Sequence, residues 1–444
     1  MGQDPHDQAE NLNLIIPEFF QVTTNIFTEM SLFCYCLGVK SVQIAGIIAE
    51  YNPLHMGHIY LMEEIRRQLG PDTAIVCAMS GDFVQRGDFA LVEKHARAEA
   101  AVRSGADLVV ELPLPWAVSS AERFADGGVG TLLATGLLTH LAFGSECGSS
   151  APLLRLAAAL TDARFPELLR QELGRGVSFA AARQQAAAAL VSPEDAALLE
   201  GPNNILGVEY CKSLLRRGSR VEPLTIPRLG AAHDAPLAER DASASASAIR
   251  TLLAAGERER AMSLMAPAMG AGYLREESAG RAPVFAGTCE RAVLARLRSM
   301  EPEEFAALDE GREGLWNRLY DASRTATSVA EILERAKTKR YAYARLRRMV
   351  LWAYLGIVPG PLPDAPAYLR PLAANAVGRG LLGRMRKTAS VPVLGKAGAV
   401  RRMDSAAREA FRLEARAADL YALAYPDLSA AAGGSAWRTG AVLC

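Results

Sequence analysis

The chain has 444 residues, of which 50% are hydrophobic and 22% are charged, and its 49 Lys and Arg balance 49 Asp and Glu. This composition excludes a disordered chain, and the length suits roughly two or three domains. No apolar run reaches the roughly 18 residues of a membrane span, and the first residues lack a signal-peptide pattern. The seven cysteines are scattered without a C-x-x-C pair, which indicates reduced thiols. We therefore expect a cytoplasmic protein with no membrane partner.

Residues 1–40 are mixed in polarity and are predicted to form an N-terminal extension. Further along the chain, five short apolar runs predict buried strands. In chain order these runs are Val42–Ala49, Ala74–Met79, Leu108–Leu112, His140–Phe143 and Val221–Ile226. Segments with helical character lie between them, among them His58–Leu69, Glu93–Ser104 and a short helix near Gly128–Ala134.

Strands that alternate with helices predict an α/β fold with a doubly wound parallel sheet, in which ligands bind at the carboxyl ends of the strands. Residues 151–200 are rich in Ala and Leu and are predicted to form a helical insertion. Beyond about residue 256 the pattern is mostly helical, so we expect a mainly helical C-terminal domain.

The strongest motif is His55-x-Gly57-His58, which follows the first strand and opens the first helix. The first turn of a helix has unpaired N–H groups and a dipole that favours anions, and glycine lets a phosphate approach the backbone. Two imidazoles can also donate hydrogen bonds to phosphate oxygens during an in-line displacement. The motif therefore predicts a nucleotide site with His55 and His58 as catalytic residues, rather than two surface histidines that cap a helix.

A second motif, Ala242–Arg250, places hydroxyl groups just before a helix. Ser247 is the predicted helix cap, and Arg250 is predicted to act as a catalytic group that reaches the β- and γ-phosphates of a nucleotide. An ordinary cap beside a surface arginine has the same pattern, so this motif is informative only in combination with H-x-G-H.

Three cationic residues, Lys94, His95 and Arg97, lie on the predicted helix after the second strand. A face turned toward phosphate or RNA is one interpretation of them. A solvated polar face is the preferred interpretation, because charged residues on a helix usually face water.

Charge is unevenly distributed along the chain. Between Asn317 and Met403 there are 17 Lys and Arg against 4 Asp and Glu, so this region carries +13 and the remainder −13. Aromatic residues lie among these cations, and five of them are considered as stacking residues: Tyr341, Tyr343, Trp352, Tyr354 and Tyr368. Cations neutralise phosphates and exposed rings stack on unpaired bases, which favours RNA binding over a basic face paired with the acidic remainder. The candidate RNA contacts are Lys337, Lys339, Arg340, Arg345, Arg347 and Arg348.

Taken together, these motifs resemble the bacterial tRNA(Met) cytidine acetate ligase family of the nucleotidyltransferase superfamily. The matching segments follow one another over roughly residues 42–385: Gly46–His58, Ser80–Ala90, Gly105–Pro113, Phe143–Cys147, Pro202–Tyr210, Ile226–Asp234, Ser245–Arg250, Glu313–Asn317, Lys337–Arg348 and Tyr368–Leu382. Ser247 stands where the family pattern has Thr, which keeps the hydroxyl group.

The resemblance implies a nucleotidyltransferase-like ATP-binding catalytic domain over residues 41–255 and a basic, mainly helical tRNA-binding region over residues 256–444. It implies an ATP-dependent ligase that activates acetate as acetyl-adenylate and acetylates N4 of the wobble cytidine of elongator tRNA(Met). Mg²⁺ is expected on the ATP phosphates. The implied ATP contacts are Ile48, Ala49, Glu50, Tyr51, Asn52, Pro53, Leu54, His55, Met56, Gly57, His58, Ile59, Tyr60, Leu61, Gly144, Asn204, Arg228 and Leu229.

Two other functions remain open at this point. A small-molecule adenylyltransferase of coenzyme biosynthesis shares both motifs, but such enzymes are usually one short domain without a long basic half. A non-catalytic RNA-binding protein with a degenerate nucleotide fold would not need an intact set of His55, Gly57, His58 and Arg250.

Overall fold

A seven-stranded sheet and a separate two-stranded hairpin make up the β structure of the residues described by this computed structural model. The described residues are 42–228, 245–308, 310–311, 314–338, 341–358 and 360–444. The strands are β1 (Ile44–Ala49), β2 (Ala74–Ser80), β3 (Phe83–Val84), β4 (Asp88–Phe89), β5 (Leu108–Leu112), β6 (His140–Ser145), β7 (Glu222–Pro227), β8 (Pro371–Ala374) and β9 (Val442–Leu443). The predicted extension over residues 1–40, together with Leu229, Lys339 and Arg340, lies outside the described residues.

The helices are assigned in chain order. Those before residue 280 are α1 (Met56–Leu69), α2 (Lys94–Arg103), α3 (Leu114–Ala117), α4 (Ala121–Leu133), α5 (Ser150–Thr161), α6 (Phe165–Gly174), α7 (Phe179–Ala188), α8 (Pro193–Ala197), α9 (Pro202–Arg216), α10 (Ala246–Ala254), α11 (Arg258–Leu264) and α12 (Pro267–Ser278). Those after it are α13 (Glu290–Ser299), α14 (Pro302–Ala307), α15 (Leu315–Thr325), α16 (Val329–Ala336), α17 (Tyr343–Leu355), α18 (Ala376–Thr388), α19 (Ser405–Ala422) and α20 (Ser435–Arg438).

The strand order in the sheet is β7-β6-β1-β2-β5-β8-β9. The first five strands are parallel, and the order runs outward from β1 in both directions, so the predicted doubly wound sheet is confirmed. β8 pairs antiparallel with β5, and β9 pairs parallel with β8. Because β8 and β9 come from the C-terminal part of the chain, the sheet itself extends across the predicted domain boundary at residue 255.

Apolar residues cover both faces of the sheet. Ile47 and Ile75 pack in one hydrophobic cluster with residues of α1, α2 and α12, whereas Ile44 and Val76 pack in another with residues of α4, α5 and α9. Successive residues of a strand point to opposite faces, so continuous apolar runs such as those of β1 and β2 can bury both. The helix predicted near Gly128 is longer than expected, and a Cβ at Gly128 would lie 2.7 Å from Ile48 of β1.

The C-terminal helices pack directly against the catalytic half of the chain. The Trp352 indole of α17 donates to the Val118 carbonyl at 2.7 Å, and the Tyr421 hydroxyl of α19 donates to the Ala90 carbonyl at 2.8 Å. Both contacts are buried, so they couple the two halves of residues 44–444, which form one unit by their contacts. None of the helices in the described ranges is both long and apolar enough to cross a membrane.

Candidate nucleotide site

The H-x-G-H loop lies at the carboxyl end of β1, where the sheet changes its winding direction between β1 and β6. Ligands of doubly wound sheets bind in the crevice at this point. Tyr51, just before the loop, has a φ of 47°, which is rare for a bulky residue and is often found at functional sites. The loop then turns at Asn52-Pro53, and α1 begins at Met56.

Hydrogen bonds to three other segments of the chain hold this loop in place. The Asn52 Oδ1 accepts from Leu91 N at 2.7 Å, and the Leu54 carbonyl accepts from Ala266 N at 3.1 Å. The Arg97 Nη1 donates to the Glu50 carbonyl at 2.5 Å. The backbone before the helix therefore has little freedom, which suits a site that must present donors in a fixed geometry.

Arg97 is fully buried and acts as a hub between the ends of β1 and β2. Besides Glu50, its guanidinium donates to the carbonyls of Val92 (2.7 Å), Ser80 (3.2 Å) and Gly81. The preferred prediction of a solvated face for this helix is therefore wrong, because Lys94 and His95 are buried as well. Four carbonyls at the ends of neighbouring segments require donors here, and a guanidinium supplies several donors from one side chain.

Lys94 belongs to a buried charge cluster that the sequence analysis missed. Its Nζ lies 2.5 Å from Glu111 Oε1 and 3.7 Å from Asp82 Oδ2. Glu414 of α19 accepts from Leu114 N at 2.6 Å, and burial followed by repulsion from Glu111 raises the pKa of Glu414 to about 8. The cluster joins the ends of β2 and β5 to α19, so we assign it to the architecture of the site rather than to ATP binding.

The two imidazoles of the motif organise each other. The His55 Nδ1 accepts from Gly57 N at 3.1 Å, and the His58 Nδ1 accepts from His55 N at 3.2 Å, which is a reciprocal capping box. Since both Nδ1 atoms act as acceptors, the proton of each neutral ring is on Nε2. The ring centres are 3.9 Å apart, so the first turn of α1 presents two neighbouring Nε2–H donors.

Both histidines are held in the neutral form. Burial lowers the pKa of His55 to about 4, and the nearby Arg228 adds to this shift. Burial also lowers the pKa of His58 well below its ordinary value, with further contributions from His55 and Arg228. The two rings therefore donate hydrogen bonds without carrying charge near neutral pH.

This pKa shift predicts a pH dependence of stability. The imidazole of an unfolded chain takes up a proton near pH 6.5, whereas His55 in the folded chain takes one up only near pH 4. The contribution of His55 to folding stability is therefore fully present above pH 6.5 and is lost as the pH falls toward 4. We expect the free energy of unfolding to decline more steeply between pH 6.5 and 4.5 for the wild type than for His55→Gln, in urea titrations at several pH values. Parallel declines would contradict the shift, and Met56→Gln, an exposed change in the same turn, serves as the control.

The other side of the crevice contains Gly144, Asn204 and Arg228. A Cβ at Gly144 would lie 3.3 Å from Arg228 Cγ, so the glycine leaves room for the arginine. The Arg228 Nη1 donates to Asn203 Oδ1 at 2.9 Å. The structure thus brings Arg228 close to both imidazoles, as their shared electrostatic shift shows.

Asn204 is buried and holds the loop after β6. Its Oδ1 accepts from Glu146 N at 3.0 Å and Cys147 N at 3.2 Å, and Glu146 in turn accepts from the backbone N of both Asn203 and Asn204. Sequence reasoning named neither Asn203 nor Glu146, although both lie inside the segments Phe143–Cys147 and Pro202–Tyr210 that carry the family resemblance. Direct contact of Asn204 with ATP remains a prediction.

Arg250 lies in the first turns of α10, as the second motif predicts. The cap of this helix is Ser245, whose Oγ accepts from Ala248 N at 3.3 Å, so the prediction of Ser247 as the cap is wrong. The Arg250 guanidinium pairs with Asp88 of β4. Glu50 lies within electrostatic range of Arg250, and its Oε1 accepts from Gln85 N at 2.6 Å. Burial raises the pKa of Glu50, and the hydrogen bond from Gln85 and the charge of Arg250 reduce this rise.

The candidate RNA contacts differ in their availability. Arg348 is buried and its guanidinium forms two hydrogen bonds to Glu310, at 2.8 and 2.6 Å. Arg345 Nε donates to the Glu310 carbonyl at 2.7 Å, and Lys337 Nζ donates to the Tyr341 carbonyl at 2.5 Å. Arg347 is exposed, and its guanidinium lies 5.0 Å from the ring centre of Tyr343. Of the described candidates, Arg347 is thus the most available for a phosphate.

Most of the aromatic residues in the basic region do not face solvent. Tyr341, Trp352, Tyr354 and Tyr368 are buried in the hydrophobic clusters, whereas Tyr343 is 37% exposed. The expectation that these rings serve as a shared stacking surface is therefore wrong for four of the five.

Other cations of the region are exposed and form no ion pair with any acidic residue that the structure describes. Four lie on α18, and three lie at the 3-10 helix Ala397–Arg402 further along the chain: Arg379, Arg384, Arg386, Lys387, Lys396, Arg401 and Arg402. Unpaired exposed cations are the groups that release counterions when they meet a polyanion. The structure therefore extends the candidate RNA surface beyond the six residues that the sequence analysis selected.

The fold and the loop define a class of protein. A family model for the HIGH nucleotidyl transferases matches residues 42–435, which is most of the chain. The parallel sheet with an H-x-G-H loop at its winding point is thus the fold of a HIGH nucleotidyltransferase.

Individual relatives narrow this class further. A protein of Acetivibrio thermocellus named tRNA(Met) cytidine acetate ligase is 36% identical over 403 residues, covering 87% of this chain and 96% of the relative. One of Syntrophomonas wolfei with the same name is 34% identical over 417 residues, covering 90% and 99%. The crystal structure of Thermotoga maritima TmcAL bound with alpha-thio ATP has a TM-score of 0.83 at 31% identity, covering 90% and 99%. This chain belongs to the tRNA(Met) cytidine acetate ligase family.

Proposed function

We propose that this chain is an ATP-dependent ligase that activates acetate as acetyl-adenylate and acetylates N4 of the wobble cytidine of elongator tRNA(Met). The observation that carries this proposal is the pair of neutral Nε2–H donors at the first turn of α1, placed where doubly wound sheets bind nucleotides. Relatives that bear the name of this reaction, and a similar structure that holds an ATP analogue, support it. A tRNA acceptor also places the reaction in the cytoplasm.

In the first step an acetate oxygen attacks the α-phosphorus of ATP, the bond from this phosphorus to the bridging oxygen breaks, and pyrophosphate leaves. We assign the stabilisation of the added negative charge to the two imidazoles and the free N–H groups of α1. Arg228 and Arg250, on either side of the loop, would neutralise the phosphates. To do so, Arg250 would exchange its pairing with Asp88 for the nucleotide.

In the second step the cytidine N4 attacks the acetyl carbon, the carbon–oxygen bond to AMP breaks, and N4 gives up one proton. Mg²⁺ would accompany the ATP phosphates as a charge-neutralising ion. Among the residues that the structure describes, there is no group of three or more His, Cys, Asp or Glu that could hold a metal. Phosphate oxygens and water usually supply most ligands of such an ion.

For tRNA we propose two groups of phosphate contacts. Lys337, Arg345 and Arg347, together with Lys339 and Arg340, lie in the segment before and within α17. The second group consists of the exposed cations on α18 and at the 3-10 helix Ala397–Arg402, which form no ion pair with a described acidic residue. Arg348 instead supports α17 through Glu310.

The decisive measurement is ATP–pyrophosphate exchange by the purified full chain. We expect exchange that requires acetate, and tRNA affinity that falls steeply as salt rises, because phosphate contacts release counterions. Nicotinate and pantetheine phosphate serve as alternative acceptors in matched assays. Exchange only with a coenzyme precursor would favour a small-molecule adenylyltransferase, and tight tRNA binding without any exchange would favour a non-catalytic RNA-binding protein.

A further inference from the structure

A cavity of about 330 Å³ lies between the β3–β4 hairpin, α10 and the C-terminal helices α13, α16 and α17. The residues that give it chemical character are Phe89, Arg250, Phe285, Glu290, Tyr343 and Arg347. This volume is at the lower end of the range for pockets that bury a small organic ligand. The cavity is larger than acetate needs, and the functions assigned above place no ligand in it, although Arg250 and Arg347 of its lining are assigned to phosphates.

The cavity is pre-formed, because the hairpin is pressed onto α17. Gly87 has a φ of 75°, and a Cβ at this position would lie 2.5 Å from the backbone nitrogen of Arg348. Only glycine permits both this left-handed conformation and such a close approach. Arg348 of α17 also donates to the carbonyl of Gln85, in the turn of the hairpin, at 3.5 Å, while Glu310 holds its guanidinium in place.

The walls combine aromatic surface with charged groups. The ring of Tyr343 is partly exposed, and the Arg347 guanidinium lies 5.0 Å from its centre. Phe89 and Tyr354, with ring centres 6.1 Å apart, provide apolar surface. A ring partly covered by a guanidinium is a common platform for an unpaired base.

One polar group of the cavity suits the amino group of a cytosine. Glu290 accepts from Val329 N through Oε1, and no described donor bonds its Oε2, which can accept from an exocyclic amino group. Arg250 also lines the cavity and adds a positive charge to its wall. Asp88, which pairs with Arg250, adds a second carboxylate to the wall.

Arg250 also connects the cavity to the nucleotide site. It lines the cavity while lying within electrostatic range of Glu50, the residue that follows β1 and precedes the H-x-G-H loop. Arg250 is therefore shared between the wall of the cavity and the surroundings of the nucleotide loop.

We propose that this cavity receives the flipped-out acceptor cytosine of the tRNA, with Tyr343 as its stacking platform. The inference rests on the proposed function, because it needs an RNA acceptor. Phosphate contacts elsewhere would supply most of the affinity for tRNA, whereas the cavity would place N4 for the transfer step.

The test separates transfer from activation. Tyr343→Ala is expected to slow single-turnover acetylation of tRNA about 10- to 100-fold, since stacking of one base contributes about 1–3 kcal/mol. Acetate-dependent ATP–pyrophosphate exchange should stay at the wild-type rate, and Tyr343→Phe, which keeps the ring, should recover most of the transfer rate. Phe179→Ala removes an exposed ring that does not line the cavity and serves as the control.

A second variant tests the cavity without touching its polar groups. Ala330 is exposed and lines the cavity, so Ala330→Trp should fill it and slow transfer with little effect on folding, whereas Ala330→Ser should not. Wild-type transfer in both Tyr343→Ala and Ala330→Trp would overturn the inference, as would an equal loss of exchange and transfer. Failure of the proposed function is distinct, because the wild type itself would then lack acetate-dependent exchange.

Discussion

Replacement of His58 by alanine is expected to lower acetate-dependent ATP–pyrophosphate exchange about 100- to 1,000-fold, the usual cost of removing one donor to developing charge. His58 Nε2 is one of the two neutral donors at the start of α1, and its Nδ1 accepts from His55 N at 3.2 Å. The affinity for tRNA should stay close to that of the wild type, because the cations assigned to phosphate binding lie on other segments. Exchange kinetics and tRNA binding are therefore measured on the same preparation.

The matched control is Glu63→Ala. Glu63 lies on the same helix, is exposed, and is not among the implied ATP contacts. It should retain exchange, which would separate loss of the imidazole from a general disturbance of α1. If His58→Ala lost exchange and tRNA binding equally, the division between an activating loop and an RNA-binding surface would be wrong.

Replacement of Arg97 by methionine is expected to lower the free energy of unfolding by at least about 3 kcal/mol, since each buried carbonyl left without a donor costs about 1–3 kcal/mol. Arg97 donates to the carbonyls of Val92, Glu50, Ser80 and Gly81 from a fully buried position. Methionine fills similar space without a donor. Urea denaturation of the two proteins measures the difference.

Arg103→Met, at the end of the same helix, is the control for this change. Arg103 is exposed and pairs with Glu99 within one turn, so its replacement should change stability little. A stability of Arg97→Met equal to that of Arg103→Met would contradict the role of Arg97 as the hub between β1 and β2. Since Arg97 holds the Glu50 carbonyl, a folded Arg97→Met protein should also show weaker ATP binding.

The parts of the protein that could be predicted from sequence are those that depend on neighbouring residues. Short apolar runs identified the five parallel strands, and His55-x-Gly57-His58 after the first of them identified the nucleotide loop. A strand followed by a turn and a helix start has a local pattern, and the imidazoles of positions 55 and 58 meet because they are one helical turn apart.

Local pattern misjudged the residues whose partners are remote in the chain. Arg97 was expected in solvent because a helix with Lys94, His95 and Arg97 looks polar, yet its acceptors lie up to 47 residues away. Arg348 was expected to bind RNA, whereas Glu310 occupies its guanidinium. The rings of Tyr341, Trp352, Tyr354 and Tyr368 were candidates for base stacking, whereas all four are buried core residues. In each case the outcome depends on which segments pack together.

Sequence alone therefore established the five parallel strands, the position of the H-x-G-H loop after the first of them and the excess of positive charge near the C-terminus, because composition and local spacing encode these features directly. Folding in three dimensions determined which cations stay available, how the ends of β1 and β2 are joined, and where the cavity beside Arg250 forms. These features arise from contacts between residues far apart in the chain. Most buried donors need an acceptor, and for Arg97 no local pattern reveals where its acceptors lie.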